Sequence, residues 1–195
     1  MRTGHVKRAT GETQISIELN IDGTGQSEIN SEIGFFNHML ETFAQHGLFD
    51  IKADIRGDLG VDQHHTIEDC GLVLGSAFKE ALGDKRGIKR AGFFIYPMDE
   101  ALAMTALDLS GRPYLKFEAT FHDNKVGELH IDLLEDFFQA FASSLLATLH
   151  IKLFYGRSDH HSIEAIFKSF ARAMKAACEI ETRIKNDVPS TKGVL

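Results

Sequence analysis

The chain has only two cysteines, no membrane-length apolar segment and no excess of positive charge. Cys70 and Cys178 lie among apolar neighbours in helical patterns, so we expect small buried side chains and the cytoplasm as compartment. No apolar run approaches the roughly 18–20 residues that span a bilayer, and the N-terminal residues lack the apolar core of a signal peptide. The net charge of −7 argues against nucleic acid as the main partner.

Histidine is abundant instead, and four of the ten histidines lie in two similar blocks. The blocks are His64-His65-Thr66-Ile67-Glu68 and His160-His161-Ser162-Ile163-Glu164, which lie 96 residues apart. Each block opens a segment of helical apolar periodicity, so either imidazole can share a helix face with the glutamate at i+3 or i+4. Adjacent imidazoles on a helix diverge by about 100°, which suits them to reach two different metal ions.

Two further histidines stand near the predicted ends of a helix and a strand, and they complete a candidate metal-binding set. Six imidazoles and two carboxylates divide into three nitrogens and one oxygen for each of two ions. Such a set favours a borderline divalent ion such as manganese. Because the set contains no cysteine and leaves coordination positions open, it argues against a closed structural zinc site. The simpler alternative, a helix N-terminus with a polar pair, is disfavoured because the block is duplicated. The predicted ligands are His38, His64, His65, Glu68, His150, His160, His161 and Glu164.

The order of the predicted elements is also repeated. Alternating and helical apolar patterns predict strand-strand-strand-helix-strand-helix twice. They include a helix from His64 to about Leu82, a strand at Ile151–Tyr155 and a last helix from His160 to about Lys185. We therefore expect an α/β fold of the α+β type, in which each half is a small sheet with two helices on one face and the helices pack together. The single domain 1–195 would consist of two pseudo-repeats, about 1–90 and 91–195.

Several cations are candidates for an anion-binding site. Arg112 lies between Gly111 and Pro113, where a tight turn would hold a guanidinium for bidentate phosphate binding. Lys168 lies one helical turn after Glu164. Arg90 follows a lysine in a short basic stretch, and the tail offers the Ser190 hydroxyl with the Lys192 ammonium.

Nine strings, spread in order over nearly the whole chain, resemble the imidazoleglycerol-phosphate dehydratase family in its monofunctional form. They are residues 8–13 (RATGET), 38–40 (HML), 46–50 (HGLFD), 62–69 (DQHHTIED), 83–88 (GDKRGI), 97–101 (PMDEA), 108–113 (DLSGRP), 159–165 (DHHSIEA) and 189–193 (PSTKG). The resemblance implies a lyase that dehydrates imidazoleglycerol phosphate to imidazoleacetol phosphate in histidine biosynthesis, through a metal-bound imidazolate.

The resemblance also implies cofactors, an assembly and residue roles. It implies two manganese ions per subunit, held by the eight predicted ligands, and a homo-oligomer of 24 subunits with active sites between subunits. Contacts to the substrate phosphate and the site rim would come from Arg90, Arg112, Lys168, Ser190 and Lys192. Glu12 would lie near the substrate diol and transfer a proton. Together with the two ligand glutamates, it completes the predicted catalytic carboxylates, Glu12, Glu68 and Glu164.

Two alternatives from other classes stay open at this point. A dinuclear metallohydrolase acting on a phosphoester would also bind two ions, although such sites use more oxygen ligands than six histidines provide. A metal-binding storage or scaffold protein would leave the basic turn residues and the Ser190–Gly193 tail without a role.

Overall fold

The first half of the chain forms one four-stranded sheet with two helices. The structure is a computed structural model that describes residues 1–184 and 187–193. The elements of this half are β1 (Thr3–Ala9), β2 (Thr13–Asn20), β3 (Ser27–Asn30), α1 (Gly34–Gly47), β4 (Asp50–Gly57) and α2 (His64–Leu82). The strand order is β1-β2-β4-β3, with β3 parallel to β4 and the other pairs antiparallel.

The second half repeats this arrangement. Its elements are β5 (Ala91–Met98), β6 (Ala101–Asp108), β7 (Tyr114–Glu118), β8 (Lys125–Val126), β9 (Leu129–His130), α3 (Leu133–Leu145), β10 (Thr148–Tyr155) and α4 (Asp159–Cys178). The strand order β5-β6-β10-β7 has β7 parallel to β10, as β3 is to β4. The small β8–β9 hairpin has no counterpart in the first half. The predicted fold class and the duplicated element order are confirmed.

The helices of the two halves pack against each other and form the core. Helix α2 contacts α3, and α1 contacts α4, so each helix pair joins the halves. The phenylalanines of these helices fill the space between them, as when the ring of Phe43 on α1 stacks on Phe170 of α4 at 4.7 Å. Burial of large aromatic side chains on this scale is the main source of stability for such a layer. Because α1 reaches α4, residues of the first half lie beside the second histidine block.

Two predicted boundaries were wrong. Helix α4 ends at Cys178 instead of running to about Lys185, a position outside the described residues. Glu179 is extended, and the segment after it exchanges backbone hydrogen bonds with residues 87–89 (Lys89 N to Glu179 O at 2.8 Å). Strand β10 begins at Thr148, which puts His150 inside the strand. Among the described residues, no helix is long and apolar enough to cross a membrane.

Candidate metal centre

The second histidine block meets a histidine from the first half at the start of α4. The imidazole Nε2 of His38 on α1 lies 2.8 Å from Glu164 Oε1, and the candidate ligand atoms of His38, His160 and Glu164 all lie within 4.8 Å of one another. Burial alone would raise the pKa of Glu164, but the hydrogen bond from His38 and the charge of Lys168 outweigh it and hold this pKa below its usual value. The carboxylate is therefore ionised and ready to act as a ligand.

The neighbouring imidazole, His161, turns to a different set of carboxylates. The centroids of the His160 and His161 rings lie 6.0 Å apart, and the two rings contact different carboxylates, as expected for adjacent residues on a helix. The Nδ1 atom of His161 lies 2.8 Å from Glu100 Oε2, and its Nε2 lies 4.0 Å from Asp99 Oδ2. Ser158 caps α4 by accepting a hydrogen bond from the His161 N–H. One block thus serves two separate groups of ligand atoms.

The first block is built in the same way at the start of α2. His64 Nε2 lies 3.9 Å from Glu68 Oε2, and its Nδ1 lies 3.5 Å from Asp136 Oδ2 on α3. His65 Nδ1 lies 3.1 Å from Asp58 Oδ2, and its Nε2 lies 3.8 Å from Glu12 Oε1. The centroids of these two rings also lie 6.0 Å apart. The predicted proton-transfer residue Glu12 therefore lies beside a predicted metal ligand.

The start of α2 is capped differently from the start of α4. Asp62, which stands two residues before His64, accepts a hydrogen bond from the His64 N–H at 2.8 Å. The N-cap position itself belongs to Gln63, whose side chain donates to the Glu128 carbonyl at 2.6 Å. Both contacts fix the first turn of α2, from which His64 and His65 project.

His150 lies apart from the other predicted ligands. It projects from the outer face of the second sheet, where its strand neighbours are Ala106 and Lys116 and its ring lies 5.6 Å from Tyr114. Among the described residues of this single chain, it contacts none of the other seven predicted ligands. The set of eight is therefore divided between the helix starts and a sheet face.

The predicted phosphate-binding residues also form two separate groups. Lys168, with a side chain only 13% exposed, lies beside the metal cluster, because its Nζ is 3.5 Å from Glu164 Oε2 and 3.1 Å from Met98 Sδ at the end of β5. Arg90, just before the start of β5, binds both carboxylate oxygens of Asp108 at 2.7 and 2.9 Å, and this contact raises its pKa.

The second group includes the described part of the tail. The Arg90 Nη1 donates to the Pro189 carbonyl at 2.8 Å, which holds Ser190 and Lys192 close to it, and Arg112 lies in the exposed turn after β6. Arg90 lies just before β5, and Lys168 contacts Met98 at its other end, eight residues or about 26 Å further along the strand. The two cations of one chain therefore lie at opposite ends of β5.

Four carboxylates at the site were not predicted. They are Asp58, Asp99, Glu100 and Asp136. Asp58 and the Asp99-Glu100 pair lie in loops, where acidic residues are usually solvated, and Asp136 lies on an amphipathic helix. What the four share is that they face the starts of α2 and α4, and this becomes visible only once the sheets and helices are assembled.

The repeated fold and the two divergent histidine blocks define a duplicated α/β protein whose helix starts gather imidazole and carboxylate groups in pairs. The model of a family described as imidazoleglycerol-phosphate dehydratase matches residues 31–174. The chain is 53% identical to the imidazoleglycerol-phosphate dehydratase of Caldicellulosiruptor saccharolyticus, over 100% of this chain and 98% of that protein. It is 52% identical to that of Koribacter versatilis over 100% of both chains.

Solved structures agree with these matches. A crystal structure of imidazoleglycerol-phosphate dehydratase from Staphylococcus aureus aligns with a TM-score of 0.83 at 38% identity, and covers 92% of this chain and 99% of that one. A crystal structure of the Pyrococcus furiosus protein in complex with (S)-C348 aligns with a TM-score of 0.85 at 35% identity, over 97% of this chain and 100% of that one. The chain belongs to the imidazoleglycerol-phosphate dehydratase family, the hydro-lyases of histidine biosynthesis.

Proposed function

We propose that the dehydration of imidazoleglycerol phosphate by this chain depends on two manganese ions per subunit, and that the active sites lie between subunits of a homo-oligomer. The convergence of His38, His160 and Glu164 within 4.8 Å is the observation that carries the metal proposal. The cytoplasmic compartment expected from the sequence stays a prediction.

The donor set fits manganese. Imidazole nitrogens and carboxylate oxygens suit borderline divalent ions that accept six ligands, and three ligands from one cluster leave positions for substrate or for another subunit. His65 and His161 offer a second pair of imidazoles whose Nε2 atoms face outward from the helix starts. When bound, manganese would supply the positive charge that lowers the pKa of the substrate imidazole, which the predicted route through an imidazolate requires.

The protein residues bind and orient the substrate and move protons. Glu12, whose side chain is 56% exposed, is free to turn toward a substrate near His65 and exchange a proton with its diol or adjacent carbon. Lys168 is held by Glu164, by Met98 and by the face of the Tyr96 ring at 5.8 Å, so its ammonium is positioned before a phosphate arrives. Glu68 and Glu164 contribute as ligands, and Glu164 also holds His38 in place through the contact at 2.8 Å.

The position of the cations supports a site shared between subunits. Arg90 precedes β5 and Lys168 contacts Met98 at the other end of this strand, so we expect both to contact one substrate only if a second chain supplies one of them. The outer face of the second sheet also carries His150 among exposed apolar side chains such as Phe93 (73% exposed), Ile95 and Tyr114. Large apolar patches of this kind are typical of subunit interfaces. An assembly of 24 subunits remains the size implied by the family resemblance.

A mixing experiment tests the shared site. Arg90→Ala and Lys168→Met would each inactivate a pure assembly. If the two residues act from different chains, co-expression of the two variants should restore about a quarter of wild-type activity, because that share of interfaces joins an intact Arg90 to an intact Lys168. No recovery in mixed assemblies of normal size would contradict the shared site.

A metal titration tests the ion proposal separately. His160→Ala should lose at least one tightly bound manganese ion per subunit, because it removes a member of the closest cluster. His130→Ala is the matched control, since His130 lies in the β8–β9 hairpin and is not a predicted ligand. Full manganese binding by His160→Ala would contradict the assigned ligand set.

A further inference from the structure

The second histidine of each block, His65 or His161, contacts a carboxylate through its Nδ1 atom. His65 Nδ1 lies 3.1 and 3.2 Å from the two oxygens of Asp58, and His161 Nδ1 lies 2.8 Å from Glu100 Oε2. An ionised carboxylate can only accept a hydrogen bond, so each contact requires the proton to be on Nδ1. The Nε2 atom of a neutral ring is then left with its lone pair, which is the form that binds a metal.

The two carboxylates come from elements that are not related by the duplication. Asp58 directly follows β4 and lies seven residues before His65, and the position 96 residues further along the chain is Phe154. Glu100 instead lies in the turn between β5 and β6. The corresponding turn of the first half carries Glu12, which faces the other nitrogen of His65. The Nδ1 contact was therefore not copied with the repeat, because two different elements provide it.

The opposite nitrogen is open in both rings. His65 Nε2 has Glu12 at 3.8 Å and His161 Nε2 has Asp99 at 4.0 Å, beyond hydrogen-bond distance in each case. Glu12 and Asp99 are themselves exposed, with side-chain exposures of 56% and 73%. Each ring is thus held on one nitrogen and accessible on the other.

We propose that Asp58 and Glu100 are positioning residues, each of which fixes the tautomer and the ring plane of its histidine so that Nε2 is presented to a metal ion. The inference rests on the proposed manganese dependence. Carboxylates that bond the outer nitrogen of a ligating histidine orient the ring and increase its basicity, and their removal typically weakens metal binding by about 10–100-fold.

Glu100 is the more firmly held of the two. Its Oε1 accepts a hydrogen bond from the Ser158 N–H at 2.8 Å while Oε2 binds His161, so both oxygens are engaged at the N-terminus of α4. Among the described residues, the Asp58 carboxylate has no hydrogen-bond partner other than His65. Loss of the Glu100 charge should therefore have the larger effect on metal affinity.

The test compares isosteric variants of the full-length protein in its native assembly. Glu100→Gln and Asp58→Asn keep the size of the side chain but remove its charge. Asp54→Asn is the matched control, because Asp54 is an exposed carboxylate on β4 that pairs with Arg56 and contacts no histidine. The manganese dissociation constant is measured by electron paramagnetic resonance of the free ion, with thermal unfolding of the metal-free proteins in parallel.

The expected result is that manganese binds about 10–100-fold more weakly to each variant, while Asp54→Asn binds as the wild type does. Melting temperatures of the metal-free variants should stay close to that of the wild type, which separates ring positioning from a general loss of structure. Wild-type affinity in both variants would overturn the inference, as would a loss shared by Asp54→Asn. If Glu100→Gln does not fold, the result for Asp58→Asn decides.

The same titration keeps the two proposals distinct. If the wild-type protein binds no manganese, the proposed function fails. If the wild type binds two ions and both variants match it, the proposed function stands and the positioning role fails.

Discussion

A single methyl group on β5 should disrupt the contact between the second sheet and the helix that carries His160 and His161. Gly92 on β5 lies so close to α4 that an added Cβ would be 2.0 Å from the Ala173 carbonyl oxygen and 2.8 Å from the Ala177 nitrogen. The first half repeats this contact, where a Cβ on Gly4 would lie 2.1 Å from the Ala77 oxygen of α2. The closest atoms are backbone in both halves, so no side chain can rotate away.

The size of the effect follows from this distance. Ordinary contact begins near 3.4 Å, so Gly92→Ala requires α4 to move by roughly 1.4 Å or the strand to bend. Overpacking typically costs about 1–3 kcal/mol, and a shift of backbone in a helix that packs against α1 places this change at the upper end. A loss of about 3 kcal/mol would lower the melting temperature of a chain of this length by about 6–12 °C.

Chemical unfolding of the metal-free protein, at fixed subunit concentration, measures this loss. Gly34→Ala is the control, because a Cβ there would meet nothing within 4 Å and alanine favours the start of α1. The control should be neutral or slightly stabilising. A Gly92→Ala variant within about 0.5 kcal/mol of wild type, the usual range for harmless surface changes, would refute the close packing of β5 on α4.

Three further predictions concern a catalytic carboxylate, the tail and pH. Glu12→Gln should reduce kcat by about 10²–10⁴-fold with bound manganese unchanged, and normal turnover would remove Glu12 from proton transfer. Arg90→Ala should release the tail at Pro189, so limited proteolysis followed by mass spectrometry should show faster cleavage there, and an unchanged rate would contradict the contact. Burial alone would raise the pKa of Asp50, but hydrogen bonds from the N–H groups of residues 24–26 hold this pKa below its usual value. Asp50 therefore stabilises the fold above its unfolded pKa of about 3.9, and the contribution is lost as pH falls through the lower folded pKa. Urea unfolding should show Asp50→Asn to be less stable than wild type by about 1–3 kcal/mol at pH 7, and this difference should disappear on acidification. A difference that does not change with pH would contradict this account.

The local features of the fold were predictable because they depend on periodicity and on residues nearby in the chain. Helix α2 was predicted to within its observed bounds, since its apolar period begins at His64 and Gly83 ends it with a positive φ. The end of α4 was not predictable in this way. There the chain leaves the helix to pair Ile180 with Ile88, a contact between segments about ninety residues apart that no local pattern announces.

The site was predictable in its residue types but not in its grouping. The duplicated blocks identified the candidate ligands on α2 and α4. The contact of His38 with Glu164, which are 126 residues apart in the sequence, depends instead on the packing of α1 on α4. Asp58 and Glu100 were missed because a carboxylate in a loop looks like solvated surface until its histidine is placed beside it. The placement of Arg90 and Lys168 at opposite ends of β5 also emerged only from the assembled fold.

Turnover by the metal-stripped protein tests whether the dehydration depends on manganese. Purified protein is freed of metal and supplied with imidazoleglycerol phosphate, with and without manganese, while formation of the ketone product and release of inorganic phosphate are followed. We expect ketone without phosphate release, and only after manganese is restored. Equal turnover by protein that is shown to hold no metal would contradict this expectation.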